Sequence, residues 1–364
     1  MISRRIIQHV DLDSFYPSVE VRENSKLRSL PVIVGSDPKE GKGRGIVVSP
    51  SYEARKYGVH SGQPISRAYK LCPDAIFIHP PNFGLYGKVS SEIMTLIRSF
   101  TTKFEQVSID EAFLDVTDQV KTYAAAIDLA SKIKKELFEK EGFTCSIGVA
   151  PNKSIAKIAS EFQKPDGLTA VEPANVKEFL APLPVSVITG VGKKTEIFLK
   201  GKGIETIGQL QKVEGKTLVR YFGKGGVWLW GVAQGLEQIE VKERTMRKSL
   251  SLEHTFEYDT DDRALLIGKM NELADHLHRR VMMNDLEFMK VGIRVRFSNF
   301  QTFTRERSLH NSTNQKDVII EHTRKLFTEF EDRKQKIRLI GLRVSNLSKR
   351  DPQKEGLDTF LTNY

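Results

Sequence analysis

The spacing of hydrophobic positions changes several times in the first part of the chain. Apolar and polar side chains alternate over residues 5–12 and 143–150, which predicts strands, whereas Tyr123, Ala126 and Ala130 begin a run with helical spacing. The predicted elements, in the order β-α-β-β-α-β, are residues 5–12, 84–100, 103–108, 111–116, 123–137 and 143–150. Residues 14–80 are inserted after the first strand.

This order is that of the split βαβ, ferredoxin-like unit, in which the first strand lies beside the third and the second and third strands form a hairpin. The C-terminal end of the first strand and the hairpin turn therefore share one edge of the sheet. Asp11 stands at the first of these places, and Asp110 and Glu111 stand at the second. We expect these three carboxylates to converge.

A cluster of carboxylates needs a positive partner, because two anions a few ångströms apart repel by about 4 kcal/mol at an effective dielectric constant of about 20. Oxygen ligands without His or Cys favour Mg²⁺ or Mn²⁺. In a straight strand Asp110 and Glu111 would face opposite sides of the sheet, so their convergence requires a turn or a bulge. We interpret His9 as structural and Asp13 as a turn or capping residue, and leave both out of the metal set.

The same order of elements is predicted again near the C-terminus. Its members are residues 249–257, 261–283, 288–299, 301–309, 315–330 and 336–347. The strands here carry arginines instead of acids, namely Arg294, Arg296, Arg305, Arg307 and Arg338. These side chains favour a phosphate-binding sheet, and the alternative is the solvent-facing side of an ordinary antiparallel sheet.

Residues 168–235, between the two units, are predicted to be helical and contain a glycine turn. Gly190 and Gly192 stand in the sequence ITGVGK, where Lys193 opens a helix, and a weaker echo occurs at 222–226. Backbone N–H groups at such a turn bind a DNA phosphate in helix-hairpin-helix elements. Glycine turns before helices also serve packing alone, so the turn by itself does not decide between the two roles.

The chain of 364 residues carries 56 Lys+Arg against 46 Asp+Glu, a formal net charge of +10. This excess favours a polyanionic partner without identifying it. Part of the excess lies in a predicted charged linker, residues 237–248, which contains Arg247 and Lys248. We expect an intracellular protein without a membrane partner, because there is neither an apolar run of membrane length nor a signal-peptide core. Cys72 and Cys145 are expected to be ordinary buried thiols.

The motifs HVDLDSFY (9–16), SYEARKYGV (51–59), SIDEAFLD (108–115) and KIASEFQKPDG (157–167) follow one another along the chain. In order and spacing they resemble the Y-family, translesion DNA polymerases, and specifically the DNA polymerase IV-like branch. The resemblance implies an α+β right-hand polymerase with a ferredoxin-like palm, small fingers, a helical thumb with helix-hairpin-helix elements and a βαββαβ little finger. The implied bounds are 1–13 and 81–167 for the palm, 14–80 for the fingers, 168–236 for the thumb, 237–248 for the linker, 249–347 for the little finger and 348–364 for a flexible tail.

The resemblance also implies the chemistry of the site. Asp11, Asp110 and Glu111 would be the catalytic carboxylates, and with the carbonyl of Leu12 they would hold two Mg²⁺ ions, for which Mn²⁺ can substitute. Tyr16 would be the steric gate, a ring that leaves no room for the 2′-hydroxyl of a ribonucleotide.

The same comparison implies a set of nucleotide-binding residues, namely Ser14, Phe15, Tyr16, Ser49, Tyr52, Arg55 and Lys164. Ser14 and Phe15 would offer backbone N–H groups to the triphosphate. The phenol of Tyr52, the guanidinium of Arg55 and the ammonium of Lys164 would bind the charged triphosphate as a clamp. Ser49 would lie beneath the nascent base pair.

The partners implied are primer-template DNA, deoxynucleoside triphosphates and the sliding clamp. The residues expected to contact DNA are Gly190, Gly192, Lys193, Arg247, Lys248, Arg294, Arg296, Arg305 and Arg307. Leu357, Phe360 and Leu361 in the tail resemble a clamp-binding peptide, although Lys354 stands where Gln is usual and Gln353 is one place away. We expect a monomer in the cytoplasm that associates with the nucleoid.

The implied function is a template-directed DNA polymerase that extends a primer 3′ end, bypasses damaged bases with low fidelity and does not proofread. The residues alone leave two alternatives, a two-metal nuclease and a nucleic-acid-binding module whose acids are structural. The nuclease gives no role to Tyr16 or to the group of Tyr52, Arg55 and Lys164. The binding module explains the charge and little else.

Overall fold

The computed structural model describes residues 5–243, 246–331 and 333–350. The chain divides into two compact units, Met1–Arg244 and Thr245–Tyr364. The strands of the first unit are β1 (Ile7–Leu12), β2 (Val32–Gly35), β3 (Val47–Pro50), β4 (Ile76–Ile78), β5 (Lys103–Gln106), β6 (Glu111–Asp115), β7 (Cys145–Ala150) and β8 (Leu168–Ala170). Its α-helices are α1 (Phe15–Glu23), α2 (Tyr52–Arg55), α3 (Ile65–Leu71), α4 (Phe83–Arg98), α5 (Tyr123–Glu141), α6 (Lys153–Phe162), α7 (Val176–Leu180), α8 (Lys193–Lys200), α9 (Ile207–Gln211), α10 (Gly215–Phe222) and α11 (Lys224–Ala233).

A five-stranded sheet in the order β5-β6-β1-β7-β8 forms the centre of the first unit. β1 lies between β6 and β7 and is antiparallel to both, so the predicted pairing of the first strand with the third is confirmed. β8, which the pattern did not predict, adds a parallel edge strand beside β7. The register places Asp11 directly opposite Glu111 on one side and Ser146 on the other.

The side chains of β1 point alternately to two different cores, and both faces of the strand are buried. Val10 and Leu12 pack in the core that α4 and α5 cover. Ile7 packs in a second core, to which α6 contributes. His9 and Asp11 share the face of Ile7 because they are two and four residues further along the strand. They therefore lie on the side of the sheet that α6 covers.

α6 approaches β7 closely because Gly148 carries no side chain. A Cβ atom at Gly148 would lie 2.0 Å from the carbonyl oxygen of Ala156 and 2.5 Å from the backbone nitrogen of Ser160. The helix is fixed at its start by Asn152, whose side chain accepts a hydrogen bond from the N–H of Ile155 at 3.1 Å. The position of α6 relative to the central sheet is thus set at both places.

The insertion after β1 folds as α1 followed by a three-stranded sheet in the order β3-β2-β4. This sheet has a small core of its own with α2 and α3, made by Ile33, Val47, Ala54, Val59, Ile65 and Ala68. α2 begins after Ser51, whose hydroxyl accepts a hydrogen bond from the N–H of Ala54 at 3.3 Å. This cap positions Tyr52 and Arg55 on a short helix next to β3.

Residues 176–233 are mainly helical, as predicted. Their core contains Leu180, Leu199, Leu210, Leu218 and Leu229. Gly190 has a φ of 101° and lies against Trp228, where a Cβ atom would be 3.0 Å from the indole ring. Conformation and packing both require glycine at this position. The packing role that the sequence left open for the turn is therefore present.

The second unit has the predicted order of elements, but its strands are arranged differently from those of the first. The elements of this unit, in chain order, are β9 (Ser249–Thr260), α12 (Arg263–Met283), β10 (Leu286–Phe297), β11 (Thr302–Thr313), α13 (Lys316–Glu331) and β12 (Ile337–Lys349). The sheet order is β11-β10-β12-β9, so the second strand lies beside the fourth in the middle of the sheet, whereas in the first unit the first strand lies between the third and the fourth. β10 and β12 supply most of the buried strand residues, and none in β11 is fully buried. The most apolar strands therefore take the centre.

Two expectations from composition concern the whole chain. Cys72 and Cys145 are both buried and free of disulfide bonds, as predicted. Among the described residues, the helices are all too short or too polar to cross a bilayer.

Candidate active site

Three carboxylates meet on the α6 side of the central sheet. Asp11 and Glu111 face each other across β1 and β6, and Glu161 reaches them from α6. Each offers an oxygen, and these oxygens all lie within 4.8 Å of one another. Asp11 is only 4% exposed, so its carboxylate has little water to stabilise it.

Two lysines form ion pairs with the three carboxylates. The ammonium of Lys164 lies 2.6 Å from Oδ1 of Asp11 and 2.7 Å from Oε1 of Glu161. The ammonium of Lys157 lies 2.7 Å from Oε1 of Glu111. Lys157 and Glu161 are four residues apart on α6, and Lys164 follows just after the helix, so one short stretch of chain supplies all three side chains.

The protonation of the cluster reflects burial and these ion pairs. Burial raises the pKa of Asp11 to about 8, an effect that the ammonium of Lys164 opposes. Burial also acts to raise the pKa of Glu111, but its contacts with His9 and Lys157 outweigh burial and hold this pKa well below its usual range. Burial acts to lower the pKa of Lys164, whereas the neighbouring carboxylates raise it by more, so the ammonium keeps its proton. The site therefore favours added positive charge.

Asp110 lies in the turn just before β6 and is not a member of the cluster of three oxygens. Its Oδ1 accepts a hydrogen bond from the hydroxyl of Ser108 at 2.6 Å, and its backbone carbonyl accepts one from the N–H of Leu12 at 2.9 Å. Burial raises the pKa of Asp110, and the charge of Glu111 adds to the effect. Asp110 is thus close enough to feel the cluster. Its role as a ligand, like that of the Leu12 carbonyl, stays a prediction.

Sequence reasoning missed Glu161. The signal was available in KIASEFQKPDG, because Lys157 and Glu161 are four residues apart and share a face of any helix formed there. The motif was used only for Lys164.

Asp13 has a structural role outside the cluster, in keeping with its interpretation as a turn residue. Its carboxylate accepts hydrogen bonds from the hydroxyl of Ser146 at 2.9 Å, the N–H of Asp166 at 2.9 Å and the hydroxyl of Tyr52 at 3.3 Å. These bonds connect β7, the segment that follows α6, and α2. Asp13 therefore holds Tyr52 near the carboxylates.

The start of α1 combines a strained backbone with an orphaned polar atom. Ser14 has φ 44° and ψ 50°, in the left-handed region, and it immediately precedes the helix. Its hydroxyl oxygen is buried and has no hydrogen-bond partner among the described residues. Buried polar atoms without partners are uncommon, and a bound ligand is one way to satisfy them.

Tyr16, the second residue of α1, is half-buried in an aromatic cluster. Its ring centroid is 4.7 Å from that of Tyr86 and 6.1 Å from that of Phe83, and Phe15 is fully buried beneath it. Burial raises the pKa of Tyr16, and the charge of Asp110 adds to this, so the phenol is neutral. The ring is fixed by packing rather than by a hydrogen bond in the described residues.

The predicted phosphate clamp is brought together in part. Burial raises the pKa of Tyr52 to about 12, and Lys164 and Arg55 both act in the opposite direction, so these cations lie near the phenol. The guanidinium carbon of Arg55 is 4.9 Å from the Tyr52 ring centroid, and Arg55 is exposed. Ser49 is buried on β3, paired with Val34 of β2.

The solved structures that this chain aligns with include DNA polymerases. The chain aligns with a Y-family DNA polymerase chimera, Dbh-Dpo4(243-245)-Dbh, with a TM-score of 0.86 and 30% identity, covering 95% of this chain and 100% of that one. It aligns with an insertion ternary complex of Dbh DNA polymerase with a TM-score of 0.67 and 29% identity, over the same shares of the two chains.

Sequence comparisons agree. Residues 10–161 match the impB/mucB/samB family, and residues 247–357 match the C-terminal domain of that family. The chain is 46% identical to DNA polymerase IV 2 of Methanosarcina mazei over 361 residues, 99% of this chain and 96% of the relative. It is 39% identical to a DNA polymerase IV of Staphylococcus aureus over 347 residues, 95% of this chain and 96% of the relative. The chain is a Y-family DNA polymerase of the DNA polymerase IV branch.

The predicted arginines of this polymerase lie on both faces of the second sheet, not in one stripe. Arg305 is paired in register with Ile293, which is buried against the helices, and its guanidinium bonds the carboxylate of Glu329 on α13. Arg307 is paired with Val291, which faces the same way. Residues that are directly opposite each other on paired strands point to the same face of the sheet. Arg305 and Arg307 therefore lie on the helix side, with Ile293 and Val291.

Arg294 and Arg296 lie on the opposite, open face of the polymerase's second sheet. The guanidinium of Arg294 pairs with Glu253 at 2.5 Å, and Nε of Arg296 donates to the hydroxyl of Thr302 at 2.8 Å. Ion pairs between exposed groups are worth about 0–1 kcal/mol, so a phosphate can replace the partner of Arg294 at little cost.

The remaining predicted contacts of the polymerase are exposed or outside the described residues. Lys193 begins α8 directly after the exposed Gly192, and Arg247 and Lys248 are exposed just before β9. The predicted clamp-binding residues Leu357, Phe360 and Leu361 lie outside the described residues.

Proposed function

We propose that this polymerase adds deoxynucleotides to a primer 3′ end under the direction of a template, at the site formed by Asp11 and Glu111. The observation that supports this most directly is the carboxylate cluster, in which two facing acids hold two lysine ammoniums. An oxygen-only set that ranges from the buried Asp11 to the exposed Glu161 and already binds cations suits a hard divalent ion.

The residues proposed to hold two Mg²⁺ ions, or Mn²⁺ in their place, are Asp11, the Leu12 carbonyl, Asp110 and Glu111. Such ions, when bound, supply activation of the primer 3′-hydroxyl and stabilisation of charge on the leaving pyrophosphate. Glu161 is an additional candidate because it reaches the same oxygens.

The protein's own groups orient the nucleotide. Lys164, Tyr52 and Arg55 bind the triphosphate, and the orphaned hydroxyl of Ser14 with the N–H groups at the start of α1 binds another part of its charge. The fixed ring of Tyr16 blocks the space that a 2′-hydroxyl would need, and Ser49 lies under the base.

The named domains follow from this assignment. Residues 1–13 and 81–167 are the palm, residues 14–80 the fingers, residues 168–236 the thumb, residues 237–248 the linker and residues 249–347 the little finger. The small core of the fingers leaves the nascent base pair open, which favours bypass of damaged templates and low fidelity without proofreading. The thumb and the open face of the little finger bind the DNA backbone.

We further propose that the polymerase is a monomer, that its tail binds a sliding clamp, and that it works in the cytoplasm at the nucleoid. Gel filtration and a pull-down with the tail deleted test the first two of these statements. Fluorescence microscopy of a tagged chain tests the third.

The central experiment is primer extension with a labelled primer, deoxynucleotides and Mg²⁺. Extension that is lost in Asp11→Ala, Asp110→Ala and Glu111→Ala, and lost on chelation, supports the polymerase site. Shortening of the labelled primer without any extension would instead indicate a nuclease. DNA binding with neither reaction would leave only the binding module.

A further inference from the structure

The segment that follows α11 is fixed on the first unit along residues 235–243, where the sequence predicted the beginning of a charged linker. The guanidinium of Arg5 donates hydrogen bonds to the backbone carbonyls of Gln238 and Ile239 at 3.2 and 2.9 Å. Val241 is 7% exposed and packs in the core to which α6 contributes. We call residues 235–243 the strap, because both its backbone and its side chains are held by the rest of the unit.

The strap binds the start of α6. Asn152, which is 1% exposed and caps this helix, donates its side-chain N–H to the carbonyl of Gly235 at 3.1 Å. The backbone N–H of Ser154 donates to Oε2 of Glu237 at 2.9 Å. Two parts of the strap therefore bind the first turn of one helix.

The residue between these two is joined to the strap through a buried acid. The ammonium of Lys153 lies 2.6 Å from Oε2 of Glu105, which is 5% exposed and lies on β5. The same oxygen accepts a hydrogen bond from the backbone N–H of Lys242 at 3.1 Å. Residues 152–154 are thus all connected to the strap, directly or through Glu105. The helix cannot slide along its axis without breaking these bonds.

The same helix carries the charges that oppose the acids of the central sheet. Lys153, Lys157 and Glu161 are spaced by four residues, so they share one face of α6. Along that face the ion pair with Glu105 at 2.6 Å is followed by the ion pair with Glu111 at 2.7 Å. A displacement of the first turn along the helix axis would therefore carry Lys157 and Glu161 away from their places in the carboxylate cluster.

The carboxylate of Glu237 is directed at a single place. Its Oε1 is buried and has no hydrogen-bond partner among the described residues, so Oε2 makes the bond that satisfies this acid. The partial positive charge at the start of α6 also stabilises the anion. Because buried oxygens without partners are uncommon, the position of this carboxylate is costly, and it is kept where it holds the helix.

We propose that Glu237 is a positioning residue for the carboxylate site, which acts by fixing the start of α6. It thereby keeps Lys157 and Glu161 opposite the acids of the central sheet. The inference rests on the proposed function only in treating the carboxylate cluster as the site of a divalent ion. It assigns Glu237 no contact with metal, nucleotide or DNA.

The first test measures whether Glu237 holds the helix. Hydrogen exchange, read by mass spectrometry on a peptide that spans residues 152–163, should be about tenfold faster in Glu237→Ala, which loses a hydrogen bond to a charged group. Glu237→Gln keeps an acceptor oxygen for Ser154 and should stay within about threefold of the unaltered chain. The matched control is Glu240→Ala on the same strap, because Glu240 is 66% exposed and pairs only with the exposed Lys242 at 2.7 Å. Equal exchange in Glu237→Ala and Glu240→Ala would overturn the proposal.

The second test measures the effect on the site. Mn²⁺ binding is followed by paramagnetic resonance in the full chain without DNA or nucleotide, and the ions counted are those whose binding is lost in Glu111→Gln. We expect the affinity to fall by about tenfold in Glu237→Ala and to stay within about threefold in Glu237→Gln. Thermal melting of the metal-free variants measures stability separately. A lower melting temperature in Glu237→Ala with an unchanged Mn²⁺ affinity would make Glu237 a stabilising contact only and would refute the positioning role.

If Glu237→Ala does not fold, Glu237→Asp, whose carboxylate is one methylene further from Ser154, takes its place in both measurements. Neither measurement uses nucleotide incorporation. A chain that gave both expected results but did not extend a primer would refute the proposed function and leave the positioning role intact. A chain that extended primers but bound Mn²⁺ equally well with and without Glu237 would keep the function and refute the positioning role.

Discussion

The ammonium of Lys164 donates a hydrogen bond to the carboxylate of Asp11, with 2.6 Å between Nζ and Oδ1. The same nitrogen bonds Glu161 at 2.7 Å, so one cation is shared by two acids before any nucleotide is bound. A triphosphate offers the ammonium oxygens of higher charge. Lys164 is therefore well placed to turn from the carboxylates to the substrate.

We predict that Lys164→Met raises the apparent KM for deoxynucleotides by about 10- to 100-fold, because a charge-assisted hydrogen bond is worth about 1.5–3 kcal/mol. Lys164→Arg, which keeps the charge, should lose less. Single-nucleotide insertion kinetics measure both, with Lys135→Met on the exposed side of α5 as the control. An unchanged KM in Lys164→Met would remove this residue from the phosphate clamp.

Tyr16 offers a test of sugar selection. We predict that Tyr16→Ala lowers the preference for deoxynucleotides over ribonucleotides by about 10- to 100-fold, because a side chain forced into a filled space costs about 1–3 kcal/mol. Tyr16→Phe keeps the ring that packs on Tyr86 and should keep the preference. The ratio of kcat/KM for matched ribo- and deoxynucleotides decides, and equal ratios in all three proteins would rule out the steric gate.

The two facing acids should affect stability in opposite directions when no metal is bound. Burial raises the pKa of Asp11 to about 8, above its value in the unfolded chain, so at neutral pH folding must bind a proton that the unfolded carboxylate lacks. The stability contributed by this group therefore falls as the pH rises from the unfolded pKa to about 8, and Asp11→Asn, which removes this cost, should raise the melting temperature. The pKa of Glu111 is lowered, so its ionised form stabilises the fold above the unfolded pKa, and Glu111→Gln should reduce the melting temperature. We expect shifts of about 2–4 °C per kcal/mol in EDTA, measured by calorimetry.

Both substitutions should also slow primer extension, by about a thousandfold for Glu111→Gln. Shifts of the same sign for the two variants would contradict this account of the pair.

Glu161 is the test of how far the cation site extends. Its side chain is 52% exposed, and it bonds Lys164, whereas Asp11 is buried. We predict that Glu161→Gln reduces kcat by less than about tenfold, while Glu111→Gln reduces it by about a thousandfold, in the range found when a group acting on the transition state is removed. A loss in Glu161→Gln as large as that in Glu111→Gln would make Glu161 an essential ligand.

The two faces of the second sheet make a matched comparison for DNA binding. We predict that Arg294→Ala with Arg296→Ala weakens primer-template affinity and lowers the slope of log affinity against log salt by about 1 for each phosphate that is no longer neutralised. Arg305→Ala, on the helix side, should leave affinity and slope unchanged. Fluorescence anisotropy over a salt series measures both, and an equal effect of Arg305→Ala would mean that the helix side also binds DNA.

The central sheet and the facing pair of acids could be predicted because they depend on the order of elements. Once residues 5–12 and 111–116 are strands of a split βαβ unit, Asp11 and Glu111 must meet. The position of Asp110 could not be obtained in this way. It depends on where the hairpin turn ends, and the turn leaves it bonded to Ser108 instead of joined to the other oxygens.

The faces on which the arginines lie and the strand order of the second unit could not be predicted from the sequence, for a different reason. Side-chain direction alternates at every residue, so a shift of one position moves Arg305 to the other face, and register is fixed only in the folded hairpin. The register is regular from the pair Arg296–Thr302 to the pair Lys290–Ser308 and becomes irregular only between Phe288 and Lys290, beyond Arg305. Strand order depends on which strands are most apolar in comparison with their neighbours, which the order of elements alone does not contain.

The absence of a side chain at Gly148 affects α6 as well as β7, the strand that contains it. Even one methyl group there would collide with the carbonyl of Ala156 and push α6 outward, and Lys157, Ser160 and Glu161 would move with it. The spacing between the acids and their counter-ions thus depends on the absence of a side chain at Gly148, which is paired with His9 and shares its face of the sheet. Alanine at this one position would be expected to silence the enzyme without altering any group that takes part in its chemistry.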